Sequence, residues 1–155
     1  MKNKEKLGLV RFSSIIIGLL IIVGLCVYIG LPYWVDLYVE RAHIEGMKVS
    51  SREAIMTLLY CSGIPVLSLL TLSFLMTLNI SSGKAFVRIN VIYLNIISLL
   101  ALILAITFVV GYFFMNSVFP IIISVIFILL AILTKVFADL FKTAIEYKLE
   151  NELTI

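Results

Sequence analysis

The side chains able to do chemistry are few and scattered. His43 is the single histidine, and neither a metal set nor a nucleophile stands at a useful spacing from it. Glu40 and Glu45 lie close to His43 in the chain, and that group could serve only acid–base work on a lipid at the membrane surface. Cys26 and Cys61 each fall inside an apolar run, where a thiol is inert, so both are expected to be free and buried as small hydrophobes. A bridge between them is the sharper alternative. With no HExxH, no paired-cysteine motif and no phosphate-cradling glycine loop, the chain reads as a non-enzyme without metal or cofactor.

The elements that would position such groups follow from composition. Of 155 residues, 63% are hydrophobic and 14% charged, against about 45–50% and about 25% in soluble domains. The mean hydropathy is +1.19. A chain this short and apolar cannot cover a water-facing surface, which excludes a soluble globular domain. Four apolar runs, 12–31, 54–78, 91–115 and 118–137, each reach the roughly 20 residues a span requires. Backbone groups in hydrocarbon must be satisfied within their own segment, so each run is helical. The fold class is all-α, an integral membrane bundle of four transmembrane helices forming one domain over 1–155, with a tail at 138–155. Lys2, Lys4 and Lys6 precede the first run, but it ends in Pro32, Tyr33 and Trp34 instead of a small-residue cleavage site, and is read as a retained helix.

Basic residues set the orientation. Lys2, Lys4, Lys6, Arg11, Lys84, Arg88, Lys135, Lys142 and Lys148 fall on the side of the termini, and only Arg41, Lys48 and Arg52 on the other. Both termini are therefore expected in the cytoplasm. The net charge of +3 is an orientation signal and a match to anionic lipids, and no direct nucleic-acid binding is read from it. In the outer connection, Val35, Tyr38, Val39 and Ala42 have helical spacing and predict a short interfacial helix ending near Gly46. Ser50 and Glu53 then read as a capping box.

No charged residue lies deep in a run, which disfavours a proton-coupled transporter or charge-selective channel. Thr57, Ser62, Ser68, Thr71, Ser73 and Thr77 in the second run, and Asn95, Ser98 and Thr107 in the third, are expected to bond their own helix or a neighbour. Ser14 with Gly18, and Ala101 with Ala105, are small pairs four apart that allow close packing, with self-association into a homo-oligomer as the alternative. Pro65 predicts a kink.

Past the fourth run, Val136, Phe137, Leu140, Phe141, Ala144, Ile145 and Leu149 continue at helical spacing, with Lys142–Glu146 and Lys148–Glu152 as i, i+4 pairs. The helix is expected to run on into the cytoplasm, its stripe covered by lipid, by the loop near Phe86 or by another protein. Acidic residues late in a helix oppose its dipole, which predicts fraying near Asn151.

Gly83, Lys84, Phe86, Asn90, Val91 and Leu94 resemble a loop signature of Gly-Lys-Pro-Phe, three residues, Asn-Val, two residues and Leu; Glu146, Glu150, Asn151, Glu152, Leu153 and Thr154 resemble an acidic ending before Leu-Thr. The family so resembled is the bacterial four-helix membrane group called domain of unknown function 2975. Ala85 departs from it, standing where the family has proline. The resemblance implies a bacterial cytoplasmic-membrane protein, with a small helix-turn-helix regulator often encoded beside it. The expected function is a regulatory membrane protein that holds such a regulator through Phe137, Phe141, Ile145, Glu146, Glu150, Asn151, Glu152, Leu153 and Thr154, with Gly83, Lys84, Phe86 and Asn90 shaping the adjoining loop. The alternative is immunity against membrane-active peptides, or an accessory subunit of a transporter, acting through the outer connection.

Overall fold

The computed structural model describes residues 2–44, 51–115 and 117–153. These form five helices: α1 (Lys2–Ile29), α2 (Leu31–Ile44), α3 (Arg52–Ser81), α4 (Arg88–Phe114) and α5 (Phe119–Leu153). Four of them, α1, α3, α4 and α5, contain segments long and apolar enough to cross a membrane, and the described residues include no strand. The expected runs hold as helices. The second is extended at both ends, the first and third are extended at the start but end two and one residues short, and the fourth starts one residue late and runs on to Leu153. The first run stops at Ile29 because Pro32 has no N–H to give the carbonyl of Tyr28. Gly30 and Trp34 still donate across the break, to the carbonyls of Cys26 and Gly30, at 3.0 and 3.2 Å.

The helices do not close into a bundle. In backbone approach α1 meets α2 and α3, α3 meets α4, and α4 meets α5, while α1 reaches neither α4 nor α5. The arrangement is an open row, and the apolar segments of α1, α3, α4 and α5 leave many large hydrophobic side chains exposed. Side chains of α3, α4 and α5 share one core in its middle, where Leu58, Leu104 and Phe108 are buried and Phe108 stacks on Phe127 at 5.8 Å.

The α4–α5 seam is the most regular packing in the molecule. On α4 the buried positions Asn90, Leu94, Ile97, Ala101, Leu104, Phe108 and Gly111 are separated alternately by four and three residues. On α5 the sequence Pro120, Ser124, Ala131, Thr134 and Ala138 keeps the same register, with half-buried Phe127 between the second and third. This is the seven-residue repeat of a left-handed supercoil. Ser124, Ala131 and Ala138 recur every seventh residue, and such small side chains let the backbones come close enough for Ser98 Oγ to donate to the carbonyl of Ala131 (2.8 Å) and Ser124 Oγ to that of Ala105 (3.0 Å). Asn95, expected to bond a neighbouring helix, accepts from Lys135 Nζ at 2.8 Å, and Lys135 also pairs with Asp139 at 3.4 Å.

Between α1 and α3 the close approach is at Gly63, where the Tyr28 ring edge lies 2.4 Å from where a Cβ would stand. Tyr28 is fixed there by an edge-on contact with Tyr60 at 5.3 Å. Gly63→Ala is therefore expected to force α1 away from α3 and to destabilise the protein by about 1–3 kcal/mol, read by unfolding in mixed micelles; Gly8→Ala, where nothing lies within 4 Å, should leave that transition in place.

The predicted interfacial helix is α2, which buries Leu31, Val35 and Ala42. Its docking on α3 includes a two-point ion pair, Arg52 Nε and Nη2 donating to Asp36 Oδ1 and Oδ2, the second at 3.2 Å. The guanidinium holds the Asp36 carboxyl below its ordinary value of 3.8. A depressed carboxyl contributes its full share above the unfolded value and loses it as pH falls through the folded one. Docking of α2, followed by a fluorophore on Tyr38→Cys in a background with the native cysteines removed, is thus expected to be flat through neutral pH and to weaken only in acid below that ordinary value. A transition near neutrality would contradict the assignment to Asp36.

The cap of α3 differs from expectation. Ser51 is the N-cap, its hydroxyl accepting from the Ala54 N–H at 3.3 Å. This places Glu53 second in the helix, one residue too early to close a reciprocal box, and Ser50 lies outside the described residues. Helix α3 is assigned without a break through Pro65. Cys26 and Cys61 are free as expected, but exposed on the apolar surface instead of buried.

Candidate functional site at the loop end

At one end of the row, the α3–α4 loop and the far part of α5 come together. Helix α3 stops because Gly83 takes a positive φ of 77°, open to glycine at no steric penalty. The Gly83 and Lys84 N–H groups then donate to the carbonyls of Ile80 and Asn79 at 3.0 and 2.9 Å, the pair of bonds that defines a Schellman ending.

Asn90 organises the loop beyond this ending. Its side chain is fully buried. Nδ2 donates to the carbonyls of Lys84 (3.0 Å) and Ala85 (2.7 Å), and Oδ1 accepts from Asn79 Nδ2 (2.9 Å). One amide thus ties the end of α3, the loop and the first turn of α4. Ala85 enters through its carbonyl, a group that proline also carries, so the departure at this position leaves the Asn90 bond available.

The loop carries Phe86 onto α5, where its ring meets Phe141 with centroids 5.4 Å apart. Beyond that contact, Arg88, Val91 and Ile92 of α4 face Lys142, Ile145, Glu146 and Leu149 of α5 across a groove of about 310 Å³. Lys142 and Glu146 approach to 3.9 Å on the exposed side, a separation and setting in which an ion pair contributes little.

Of the expected partner-binding residues, Phe141 meets Phe86, and Ile145 and Glu146 line the groove beyond it. Phe137 is exposed on the apolar surface. Glu150 and Asn151 are exposed on the last turns of α5 and both are engaged in local interactions. Against the expected fraying near Asn151, α5 is helical to Leu153, two residues further, and the residues beyond lie outside the described ones. The side chains of Glu152 and Leu153, and the whole of Thr154, lie outside the described residues.

Sequence reasoning missed Asn79, and it read Arg88, Lys142 and Leu149 only for orientation or helical spacing, not as part of this site. For Asn79 a signal existed, an amide residue just ahead of a Ser-Ser-Gly helix ending and a second amide shortly after it. Among the described residues no group of three or more histidine, cysteine or acidic side chains is placed to hold a metal.

No curated protein and no solved structure matches the chain. A family model, described as Protein of unknown function (DUF2975), matches residues 33–155. That stretch takes in all of α2 but its first two residues, α3 to α5, the glycine-ended loop and the buried Asn90, and the chain belongs to the DUF2975 family.

Proposed function

We propose that this is a non-enzymatic bacterial protein of the cytoplasmic membrane, with both termini inside, whose α5 tip holds a small helix-turn-helix regulator at the membrane. The observation that carries the reading is the persistence of α5 as a helix to Leu153, well past its Phe141 contact with the loop. Leu149, 43% exposed, continues there the face of Phe141 and Ile145 at four-residue spacing, on a segment that also bears Glu146, Glu150 and Glu152. An apolar stripe flanked by carboxylates suits a small basic protein, because the stripe buries apolar area while the carboxylates compete with DNA phosphates for the same cations. The inward placement of the tip rests on the nine-to-three distribution of Lys and Arg across the spans.

The test follows one DNA-binding protein through membrane and soluble fractions of cells carrying the full chain, a chain ending at Thr143, or Leu149→Glu. Retention on membranes by the full chain, and release by both variants, is the expected result. A regulator whose distribution ignores both changes would overturn the proposal.

A further inference from the structure

Where α3 begins and α4 ends lies a second site, built around a carboxylate without an ion pair among the described residues and a hydroxyl that does not bond back to its helix. Six hydroxyl residues lie inside the second apolar run. Ser62, Ser68, Thr71, Ser73 and Thr77 donate back to carbonyls of their own helix. Thr57 makes no such bond and is exposed. One turn earlier on the same face stands Glu53. Its neighbour Arg52 feels the Glu53 charge but is held by both carboxylate oxygens of Asp36, and among the described residues no cation forms an ion pair with Glu53.

Glu53 and Thr57 open into a groove of about 590 Å³ between the start of α3 and the end of α4. Its walls are Leu58 and Cys61 from one helix and Ile106, Val110 and Phe114 from the other. Behind it the two helices are in tight contact, since a Cβ on Gly111 would lie 2.6 Å from Leu58 Cδ1. From Glu53 to Cys61 the groove descends about 12 Å at ~1.5 Å per residue. It therefore has a carboxylate and a free hydroxyl at its mouth, apolar walls below, and no basic side chain along it.

We propose that this groove binds a single-chain amphiphile with a cationic amine head. The ammonium would sit between the Glu53 carboxylate and the Thr57 hydroxyl, two acceptors that match its donors, while the alkyl chain lies against Val110, Phe114 and Cys61. An anionic head is disfavoured by the same residues, because it would face Glu53 with no counter-charge in the groove. The site stands apart from the α5 tip and does not depend on what that tip holds.

The experiment uses the full chain in nanodiscs of zwitterionic lipid with dodecylamine carrying a photoreactive diazirine in its alkyl chain. Saturable labelling is expected on peptides covering 53–61 and 106–114, displaced by plain dodecylamine and not by dodecyl sulfate. Glu53→Gln should weaken binding about tenfold, the equivalent of about 1.4 kcal/mol, and Thr57→Val less. Val110→Trp, which fills the groove from a position already 50% exposed, should abolish the label at both peptides while the unfolding transition is retained. Labelling spread evenly over the four long helices, equal displacement by dodecyl sulfate, or indifference to Glu53→Gln with the protein folded would each overturn the proposal.

Discussion

Asn90→Ala is expected to destabilise the protein by about 3 kcal/mol, with the loss concentrated at the loop end. The substitution removes three hydrogen bonds at once, each contributing about 0.5–1.5 kcal/mol net. It leaves a cavity where a fully buried amide stood. The carbonyls of Lys84 and Ala85 can turn to water, since Lys84 is exposed, so the full desolvation penalty of both is not incurred. Asn79→Ala removes one bond and should cost about 1 kcal/mol. The double variant should cost less than the sum, because the Asn79–Asn90 bond is lost in either single one. Unfolding in mixed micelles gives the energies, and trypsin at Lys84 and Arg88 reports the place: cleavage should accelerate in Asn90→Ala well before global unfolding. If the loop remains as resistant as the wild type, Asn90 is not what holds it.

How far the molecule is legible from its residues can be judged at this same loop. Gly83 and Asn90 stand out in the sequence, and both prove central, because a left-handed helix ending and a buried amide are tasks few residues can perform. The four long apolar helices are equally legible, since a run long and apolar enough to cross a membrane can be recognised without knowing its tertiary partners. What composition does not convey is which span touches which. Outward-facing and protein-facing surfaces are both apolar here, so the usual contrast between a greasy inside and a polar outside is missing. That is why Phe137 reads from the sequence as part of the same stripe as Phe141, although one faces outward and the other meets Phe86. It is also why a closed bundle is the natural expectation where the helices form a row. Thr57 is the same lesson on a smaller scale: six similar hydroxyls invite one explanation, and only the backbone bonds of the other five mark it out. A better signal was present in the small residues. Ser124, Ala131 and Ala138, every seventh position, encode the α4–α5 seam more directly than the Ala101–Ala105 pair does.

That repeat carries the second large effect. Ala138→Leu is expected to destabilise the protein by about 1–3 kcal/mol through overpacking, and to open the seam at the loop end. Ala138 has no exposed surface, and it stands one turn before Phe141. Three added carbons have nowhere to go unless α5 moves away from α4, and the movement must lift Phe141 from Phe86, whose ring centroids are 5.4 Å apart. Val136→Leu is the control, because Val136 is 51% exposed and points out of the seam. Spin labels on Ser82→Cys and Thr143→Cys, in a background with Cys26 and Cys61 replaced by alanine, should report a longer and broader distance for Ala138→Leu and an unchanged one for Val136→Leu. Overpacking is also partly relieved by making room: Leu94→Ala, on the facing stretch of α4, should recover part of the stability lost in Ala138→Leu while being destabilising alone. If the two substitutions simply add, Ala138 is not set by close approach to α4, and the seven-residue repeat would have to be read as chance. If they compensate, the loop end is positioned by the same small-residue seam that joins the two helices through the apolar span, and the orientation of the α5 tip is fixed from within it.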